Sequence, residues 1–162
     1  QAAVVLVGYR LAPEHRFPTA LDDCYAATQW AADHAQELGM DAARIAVCGD
    51  SAGGNLATAV AMLARDRQGP KIAYQMLFYP VTDARPDTSS RYPSRIDNGS
   101  GYLLTSAAMN WFFSHYFNNP DDAANPLASP IIGVLTGLPP ASVICTVSLN
   151  TAAGLASLFL ST

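Results

Sequence analysis

Between an apolar run at residues 45–48 and a helix-like segment that ends near Arg67, the sequence reads Gly49-Asp50-Ser51-Ala52-Gly53-Gly54. The apolar run is short and typical of a buried strand, and the Ala-, Leu- and Met-rich segment after the glycines favours a helix. The six residues match the pattern Gly-x-Ser-x-Gly, which holds a serine on a sharp turn from strand to helix. A strand, a tight turn and a helix are therefore predicted in that order.

The residue types around Ser51 suit a nucleophile. A tight turn leaves no room for side chains two residues away from the serine, and Gly49 and Gly53 are expected to meet that demand. At the start of the helix, the N–H of Ala52 and the positive helix end face the place where an oxyanion forms in acyl transfer. We therefore predict Ser51 as the catalytic nucleophile and Ala52 as an oxyanion-hole donor. The rest of this nucleophile elbow is Gly49, Asp50, Gly53 and Gly54.

A glycine-rich loop can also cradle phosphate groups. That alternative needs a lysine after the glycines or the pattern Gly-x-Gly-x-x-Gly, and the turn around Ser51 has neither. The net charge is −4, and Lys71 with eight scattered arginines forms no basic stripe that could neutralise phosphates. Nucleotides and nucleic acids are therefore not predicted as partners.

Three further apolar runs are typical of strands, and the first of them is continuous, as expected of a strand that is covered on both faces of a sheet. They occupy residues 3–9, 74–79 and 141–146. A segment with helical spacing at residues 19–38, followed by Gly39 as a candidate C-cap, lies before the strand that leads to Ser51. Strands that alternate with helices predict an α/β fold with a mostly parallel sheet and flanking helices.

The chain between residues 83 and 101 is rich in Pro, Ser, Arg and Asp and has no periodicity, which predicts a long surface excursion. Thr105 is placed to cap a helix that runs through Phe117. The apolar side chains of that helix are expected to pack in the core or against a cap. They are Met109, Trp111, Phe112, Phe113 and Tyr116.

Composition limits the setting of the protein. A length of 162 residues predicts one domain. No apolar run approaches the roughly 18 residues that a membrane-spanning helix needs, and no charged region precedes a short apolar stretch at the start, so the chain is expected to be soluble. A cytoplasmic location is predicted. Three cysteines lie in apolar segments without metal-ligand spacing and are expected to be buried, reduced thiols. They are Cys24, Cys48 and Cys145.

Two longer motifs carry a resemblance to a known family. The first reads Tyr9-Arg10-Leu11-Ala12-Pro13-Glu14-His15-Arg16-Phe17-Pro18, and the second is the elbow around Ser51. Further motifs of matching type and order are Tyr79-Pro80, the aromatic helix with Trp111, Asn125-Pro126-Leu127-Ala128-Ser129-Pro130 and Leu138-Pro139-Pro140. Over residues 4–146 the chain resembles the hormone-sensitive-lipase-like carboxylesterases, in particular the bacterial acetyl esterases and lipases.

The resemblance implies an α/β-hydrolase fold with an eight-stranded, mostly parallel sheet under a helical cap. It implies a Ser/Asp/His triad, hydrolysis of small acyl esters of short to medium chain length, and no metal or organic cofactor. In this family an HGGG-type loop supplies further oxyanion N–H groups, and it is expected to lie before residue 1. Residues 1–146 are therefore expected to be a partial catalytic domain, truncated at its N-terminus, in which residues 83–120 contact the cap.

The triad partners of Ser51 are not recognisable. The chain order in this fold is Ser, then Asp or Glu, then His, and His115 is the only histidine after Ser51. His115 lies among aromatic residues, where a packed or surface histidine is expected rather than a base. His15 and His34 precede Ser51 and are interpreted as a loop and a helix-surface side chain. The carboxylates weighed for the acid are interpreted as solvated loop residues: Asp83, Asp87, Asp97, Asp121 and Asp122.

Residues 147–162 depart from the family pattern. Where the family places its catalytic Asp in the segment Asp-Pro-Leu-Arg-Asp, the chain reads Val147-Ser148-Leu149-Asn150-Thr151-Ala152-Ala153-Gly154-Leu155. Codons for residues 151–155 can be chosen so that a frame shifted by one base reads Pro-Leu-Arg-Asp. We therefore hypothesise that this tail is an out-of-frame peptide.

Two functions from different classes stay open. The first is a carboxylesterase that forms an acyl-enzyme on Ser51, with this chain alone nearly inactive because it lacks the base and its Asp. The second is a non-catalytic ligand-binding or vestigial protein, because relatives of these esterases include receptors that keep the pocket without hydrolysis. An HGGG loop upstream in the gene, with an in-frame Asp and His downstream, would favour the enzyme.

Overall fold

The computed structural model describes residues 2–86 and 91–145 and confirms an α/β fold with a parallel sheet. The strands are β1 (Ile45–Asp50), β2 (Ile72–Phe78) and β3 (Ala141–Ile144). The helices are α1 (Thr19–Asp33), α2 (Ala52–Asp66), α3 (Pro93–Asp97) and α4 (Ser106–Tyr116). Short 3-10 turns lie at Ala42–Arg44, Pro120–Ala124 and Pro130–Ile132. In this part of the chain no helix has the length and apolar character that a membrane crossing requires.

The three strands are parallel and lie in the sheet in their chain order. Asp50 pairs with Phe78, and Phe78 pairs with Ile144, so the strands end side by side. In open parallel sheets, functional residues gather outside the carboxyl ends of the strands. Ser51 follows the last residue of β1 directly, which places it at that edge.

Helix α2 forms the centre of the core. Eleven consecutive residues, from Gly54 to Ala64, are buried, as expected of a helix that is apolar on all sides. It packs on the sheet through a cluster that includes Val47 and Leu77, and α1 adds Leu21. This packing fixes the start of α2, and therefore Ser51, against the end of β1.

The strands bury one face against the helices and leave the other exposed within the described residues. Val47 and Leu77 point into the core, whereas Cys48, Met76 and Ile144 are exposed. The prediction that Cys48 is buried is therefore wrong. An apolar run does not tell whether one face or both are covered, because that depends on neighbours distant in sequence.

The other two cysteines come closer to the predicted buried, reduced thiols than Cys48 does. Cys24 and Cys145 are free and half-buried. Burial raises the pKa of the Cys24 thiol to about 11, and the negative charge of Asp23 adds to this effect. A thiol with such a pKa stays protonated and unreactive at neutral pH.

The segment at residues 3–9 is not the predicted strand. It has no regular structure, and Val4 and Leu6 are 88% and 94% exposed. A strand needs a hydrogen-bonding neighbour, and none of β1, β2 and β3 pairs with it. Directly after the segment, a salt bridge of 2.7 Å joins Arg10 to Asp23 of α1.

The predicted helices match the structure except at their ends. Helix α1 ends at Asp33 and turns lead on to Gly39, whose φ of +66° suits glycine. The side chain of Thr105 accepts a hydrogen bond of 3.1 Å from the N–H of Ala108, which confirms the predicted cap of α4. Of the aromatic residues of α4, Trp111 and Phe112 are more than half exposed, so they lie outside the core.

Candidate active site

Ser51 occupies the turn between β1 and α2 in a strained conformation. Its φ of 51° and ψ of −115° lie in a region that favours glycine. The N–H of Ser51 donates to the carbonyl of Phe78 at 2.9 Å, and its carbonyl accepts from the N–H groups of Asn55 and Val81, both at 3.2 Å. Strain at a residue persists only where its surroundings over-determine the conformation, and such strain is concentrated at functional sites.

Two glycines permit this turn, Gly49 and Gly54, whereas the sequence predicted that role for Gly49 and Gly53. A Cβ added to Gly49 would lie 2.2 Å from the carbonyl oxygen of Gly53, and one added to Gly54 would lie 2.8 Å from the Cβ of Pro80. A Cβ added to Gly53 would meet nothing within 4 Å among the described residues. The expectation that Gly53 clears the turn is therefore wrong: the close approach is of Gly49 to the backbone of Gly53.

The strain at Ser51 gives a stability prediction. Replacing Ser51 with glycine relieves a backbone strain of about 1–3 kcal/mol. A smaller part of this gain in stability is offset because glycine has more conformational freedom in the unfolded chain. We expect Ser51→Gly to have a free energy of unfolding about 1 kcal/mol higher than Ser51→Ala in urea titrations. Both variants lack the hydroxyl, so their difference isolates the backbone. Equal stability of the two would contradict a strained turn.

The start of α2 can stabilise negative charge beside Ser51. Ala52 is the first helical residue and is exposed. The N–H groups in the first turn of a helix have no acceptor within the helix, and the helix dipole makes that end positive. Asp50 adds a negative charge at this turn, and the hydroxyl of Tyr79 donates to it at 3.4 Å. The N–H of Ala52 lies in this first turn, and its role as an oxyanion-hole donor stays a prediction.

In the part of the chain that the structure describes, no histidine forms a hydrogen bond with Ser51. The contacts of the His115 ring lie within α4: its Nδ1 is 2.9 Å from the Trp111 carbonyl oxygen and 3.2 Å from Ser114 Oγ, and the ring lies 4.3 Å from that of Trp111. His34 stacks on Trp30 on the surface of α1, and His15 is an exposed loop residue. These positions match the sequence interpretation of all three histidines.

The carboxylates after Ser51 differ in their surroundings. Asp97 and Asp121 are exposed, as predicted. Asp122 is half-buried and accepts a hydrogen bond from the backbone N–H of Asn118 at 2.9 Å, which is the main reason that its pKa is lowered. Asp87 lies outside the described residues. Asp83 departs furthest from the prediction.

Asp83 is fully buried, so its interpretation as a solvated loop residue is wrong. The guanidinium of Arg85 donates to both of its carboxylate oxygens, at 2.9 and 2.8 Å, and Arg91 donates at 3.3 Å. The Tyr92 hydroxyl lies within 3.4 Å, and Arg95 donates to the Asp83 backbone carbonyl at 2.9 Å. Burial acts to raise the pKa of Asp83, but the hydrogen bonds and charge of Arg85 outweigh it, so the pKa is lowered.

Two buried polar residues at the site were not predicted. Asn55 lies on α2 and its amide donates to the carbonyls of Val81 and Ala128, at 2.7 and 2.9 Å. Ser129 donates to the Ala123 carbonyl at 2.7 Å and accepts from the N–H of Ala84 at 2.9 Å. For Asn55 the signal in the sequence was a polar residue inside an apolar helix, because such a residue needs partners when it is buried.

The described residues also bear on metal binding. No three His, Cys, Asp or Glu side chains within residues 2–86 and 91–145 are grouped so that they could hold a metal ion.

Comparisons with known proteins agree with this geometry. Residues 1–148 match the profile of the alpha/beta hydrolase fold family. The chain is 48% identical to the ethyl acetate hydrolase of Pseudomonas putida over 131 residues, which are 80% of this chain and 40% of that protein. It is 43% identical to the carboxylesterase NlhH of Mycobacterium tuberculosis, over 88% of this chain and 45% of that protein.

A solved structure shows the same likeness in three dimensions. The Pyrobaculum calidifontis esterase superposes with a TM-score of 0.79 at 47% sequence identity, over 83% of this chain and 44% of that one. The chain therefore spans less than half the length of each of these three proteins.

Proposed function

The chain belongs to the alpha/beta hydrolase fold family, and from this premise we propose that it carries the nucleophile of a serine carboxylesterase. The observation that supports the proposal most is the strained Ser51 at a strand-to-helix turn, with the first turn of α2 directly after it. The relatives named above are esterases and ester hydrolases, which supports the same reaction class.

In the proposed reaction, Ser51 Oγ attacks the acyl carbonyl carbon of a small ester. The Oγ–C bond forms, the carbonyl becomes an oxyanion, and the Ala52 N–H donates to it. Collapse of this intermediate breaks the bond to the alcohol, which leaves with a proton, and an acyl-enzyme remains on Ser51. Water then releases the acid. These steps use no metal or organic cofactor, and the family resemblance points to acyl chains of short to medium length.

The proposed reaction needs a base for the proton of Ser51. His115 is the only histidine after Ser51, and the contacts of its ring lie within α4. Without a base, only the weak catalysis that comes from binding and oxyanion contacts remains. We therefore propose that these 162 residues, taken alone, hydrolyse esters little faster than a Ser51→Ala variant.

The placement of His115 also favours a second candidate. This candidate is a ligand-binding protein of the same fold, which binds an acyl compound at the elbow without hydrolysing it, and the ring contacts of His115 within α4 fit such a protein. The free thiols fit a reducing compartment and support a cytoplasmic location for either function.

A labelling experiment tests the nucleophile. A fluorophosphonate probe is incubated with the folded chain, with and without added imidazole, and the adduct is located by mass spectrometry. We expect slow labelling of Ser51 that imidazole accelerates by roughly tenfold or more, because it replaces the missing general base. Ser51→Ala is the control and should show no adduct at this turn.

The outcomes separate the candidates. Fast labelling and turnover of a short p-nitrophenyl ester without imidazole would overturn the proposed inactivity and point to a base within the chain. A folded sample in which Ser51 stays unlabelled even with imidazole would contradict the nucleophile and favour the ligand-binding candidate.

A further inference from the structure

The turn that follows β2 holds the backbone of Ser51 from both sides. The carbonyl of Phe78 accepts from the Ser51 N–H at 2.9 Å, and the N–H of Val81 donates to the Ser51 carbonyl at 3.2 Å. Between them, Tyr79 has a φ of 36°, in the left-handed region that bulky side chains avoid. Residues 78–81 thus form a strained turn whose two ends are hydrogen-bonded to a strained serine.

The side chain of Asn55, on α2, is hydrogen-bonded to this turn. It lies one helical turn after Ser51, and its side chain is buried, with 7% of the residue exposed. Its side-chain nitrogen donates to the Val81 carbonyl at 2.7 Å and to the Ala128 carbonyl at 2.9 Å. Its backbone N–H donates to the Ser51 carbonyl at 3.2 Å. Both protons of the side-chain amide are therefore used in hydrogen bonds. One of these bonds goes to Val81, whose own N–H donates to the Ser51 carbonyl.

The segment at residues 123–131 supports the turn from the other side. Ser129 accepts from the N–H of Ala84, and the N–H of Ile131 donates to the Thr82 carbonyl at 3.2 Å. The chain after Val81 is thus hydrogen-bonded to this segment at two points. Asn55 is hydrogen-bonded to the turn through Val81 and to the segment through Ala128. The side chain of Asn55 occupies the place where the helix, the turn and the segment meet.

We propose that Asn55 is a positioning residue for Ser51: its amide holds the turn at residues 78–81 where that turn keeps Ser51 in its strained conformation. The catalytic meaning of this role rests on the proposed function, but the conformational role does not. An apolar residue would suffice at this buried position if packing were the only demand. The double donor of Asn55 is explained by the two carbonyls that it fixes.

A double-mutant cycle in this chain tests the proposal. Asn55→Leu is nearly isosteric and removes both donors, and Ser51→Gly removes the strain that the turn has to hold. Asn55→Leu is expected to reduce the folding equilibrium constant in both backgrounds. We expect the fold-reduction in the parent chain to be at least about five times the fold-reduction in the Ser51→Gly background. Urea titrations followed by circular dichroism give the four values.

Thr58→Val is the matched control for the cycle. Thr58 is as buried as Asn55 on the same helix, but its hydroxyl donates at 3.0 Å to Gly54 within α2. Its effect should be the same in both backgrounds. Hydrogen exchange adds a local readout: Asn55→Leu should accelerate exchange at the Ser51 and Val81 N–H groups by roughly tenfold relative to Val60, and Thr58→Val should not.

The outcomes of the cycle decide whether Asn55 positions Ser51. Folding of Asn55→Leu in the Ser51→Gly background alone would support the proposal in its strongest form. An equal effect in both backgrounds, or failure to fold in both, would make Asn55 a structural residue with no relation to Ser51 and overturn it. Neither readout requires activity, so the labelling experiment on Ser51 can fail while this proposal stands.

Discussion

Gly49→Ala prevents cooperative folding of the chain or lowers its free energy of unfolding by about 4 kcal/mol or more, beyond the usual range for a point substitution. The added Cβ would lie 2.2 Å from the Gly53 carbonyl oxygen and 2.3 Å from its carbon. Both are backbone atoms at the start of α2, so no side-chain rotation can relieve the clash. The whole helix would have to move away from β1, and the core contacts of α2 would be lost with it.

Gly53→Ala is the matched control for that result. Nothing among the described residues lies within 4 Å of the added Cβ, and alanine is a better helix former than glycine by about 1 kcal/mol. We expect its free energy of unfolding to be unchanged or slightly raised. Urea titrations followed by circular dichroism compare the two variants. A mild effect of Gly49→Ala, or a severe effect of Gly53→Ala, would show that the turn differs from the one described.

The difference between these glycines marks how far the sequence predicts the site. The order strand, turn and helix around Ser51 was predictable because it depends on residues that are adjacent in sequence. The roles of Gly53 and Gly54 were not, because Gly54 is constrained by Pro80, which approaches it only after β2 has paired with β1. Close approach between distant segments leaves no periodic signal in the sequence.

The same reason explains the errors in the fold. An apolar run predicts a strand at residues 3–9 equally well whether or not a partner strand lies beside it, and none of the three strands does. The apolar run that contains Cys48 predicted a buried thiol, but the core cluster formed with α1 and α2 contains Val47 and not Cys48, which is exposed. A local sequence pattern indicates which secondary structure a segment prefers. The exposure of its side chains depends on which other segments pack against it.

Buried polar residues were the hardest to predict. Asp83 looked like a solvated loop residue because aspartate is seldom buried without a partner, and its partners Arg85 and Arg91 belonged to the same polar stretch. Asn55 stood within an apolar helix, but its acceptors are 26 and 73 residues away along the chain. Hydrogen-bond partners at such separations can be identified only once the fold brings them together.

Asp83→Asn is expected to lower the free energy of unfolding by about 2–3 kcal/mol at neutral pH. The carboxylate is fully buried, while the side chains of Arg85 and Arg91 are 26% and 47% exposed, so water screens the unpaired guanidinium groups in part. Asp97→Asn is the control, because Asp97 is an exposed acid in the same region. Its effect should stay within about 0.5 kcal/mol.

The pH dependence separates a charge effect at Asp83 from a packing effect. The folded chain lowers the pKa of this carboxyl from its ordinary 3.8 because hydrogen bonds and charge from Arg85 outweigh the opposing effect of burial. A lowered pKa means that the stabilisation is present above pH 4 and is lost as the pH falls through the folded pKa. The stability difference between the parent chain and Asp83→Asn should therefore shrink in urea titrations below pH 4. A difference that stays constant down to pH 2 would mean that asparagine fails on shape, and that the arginines contribute through packing instead of charge.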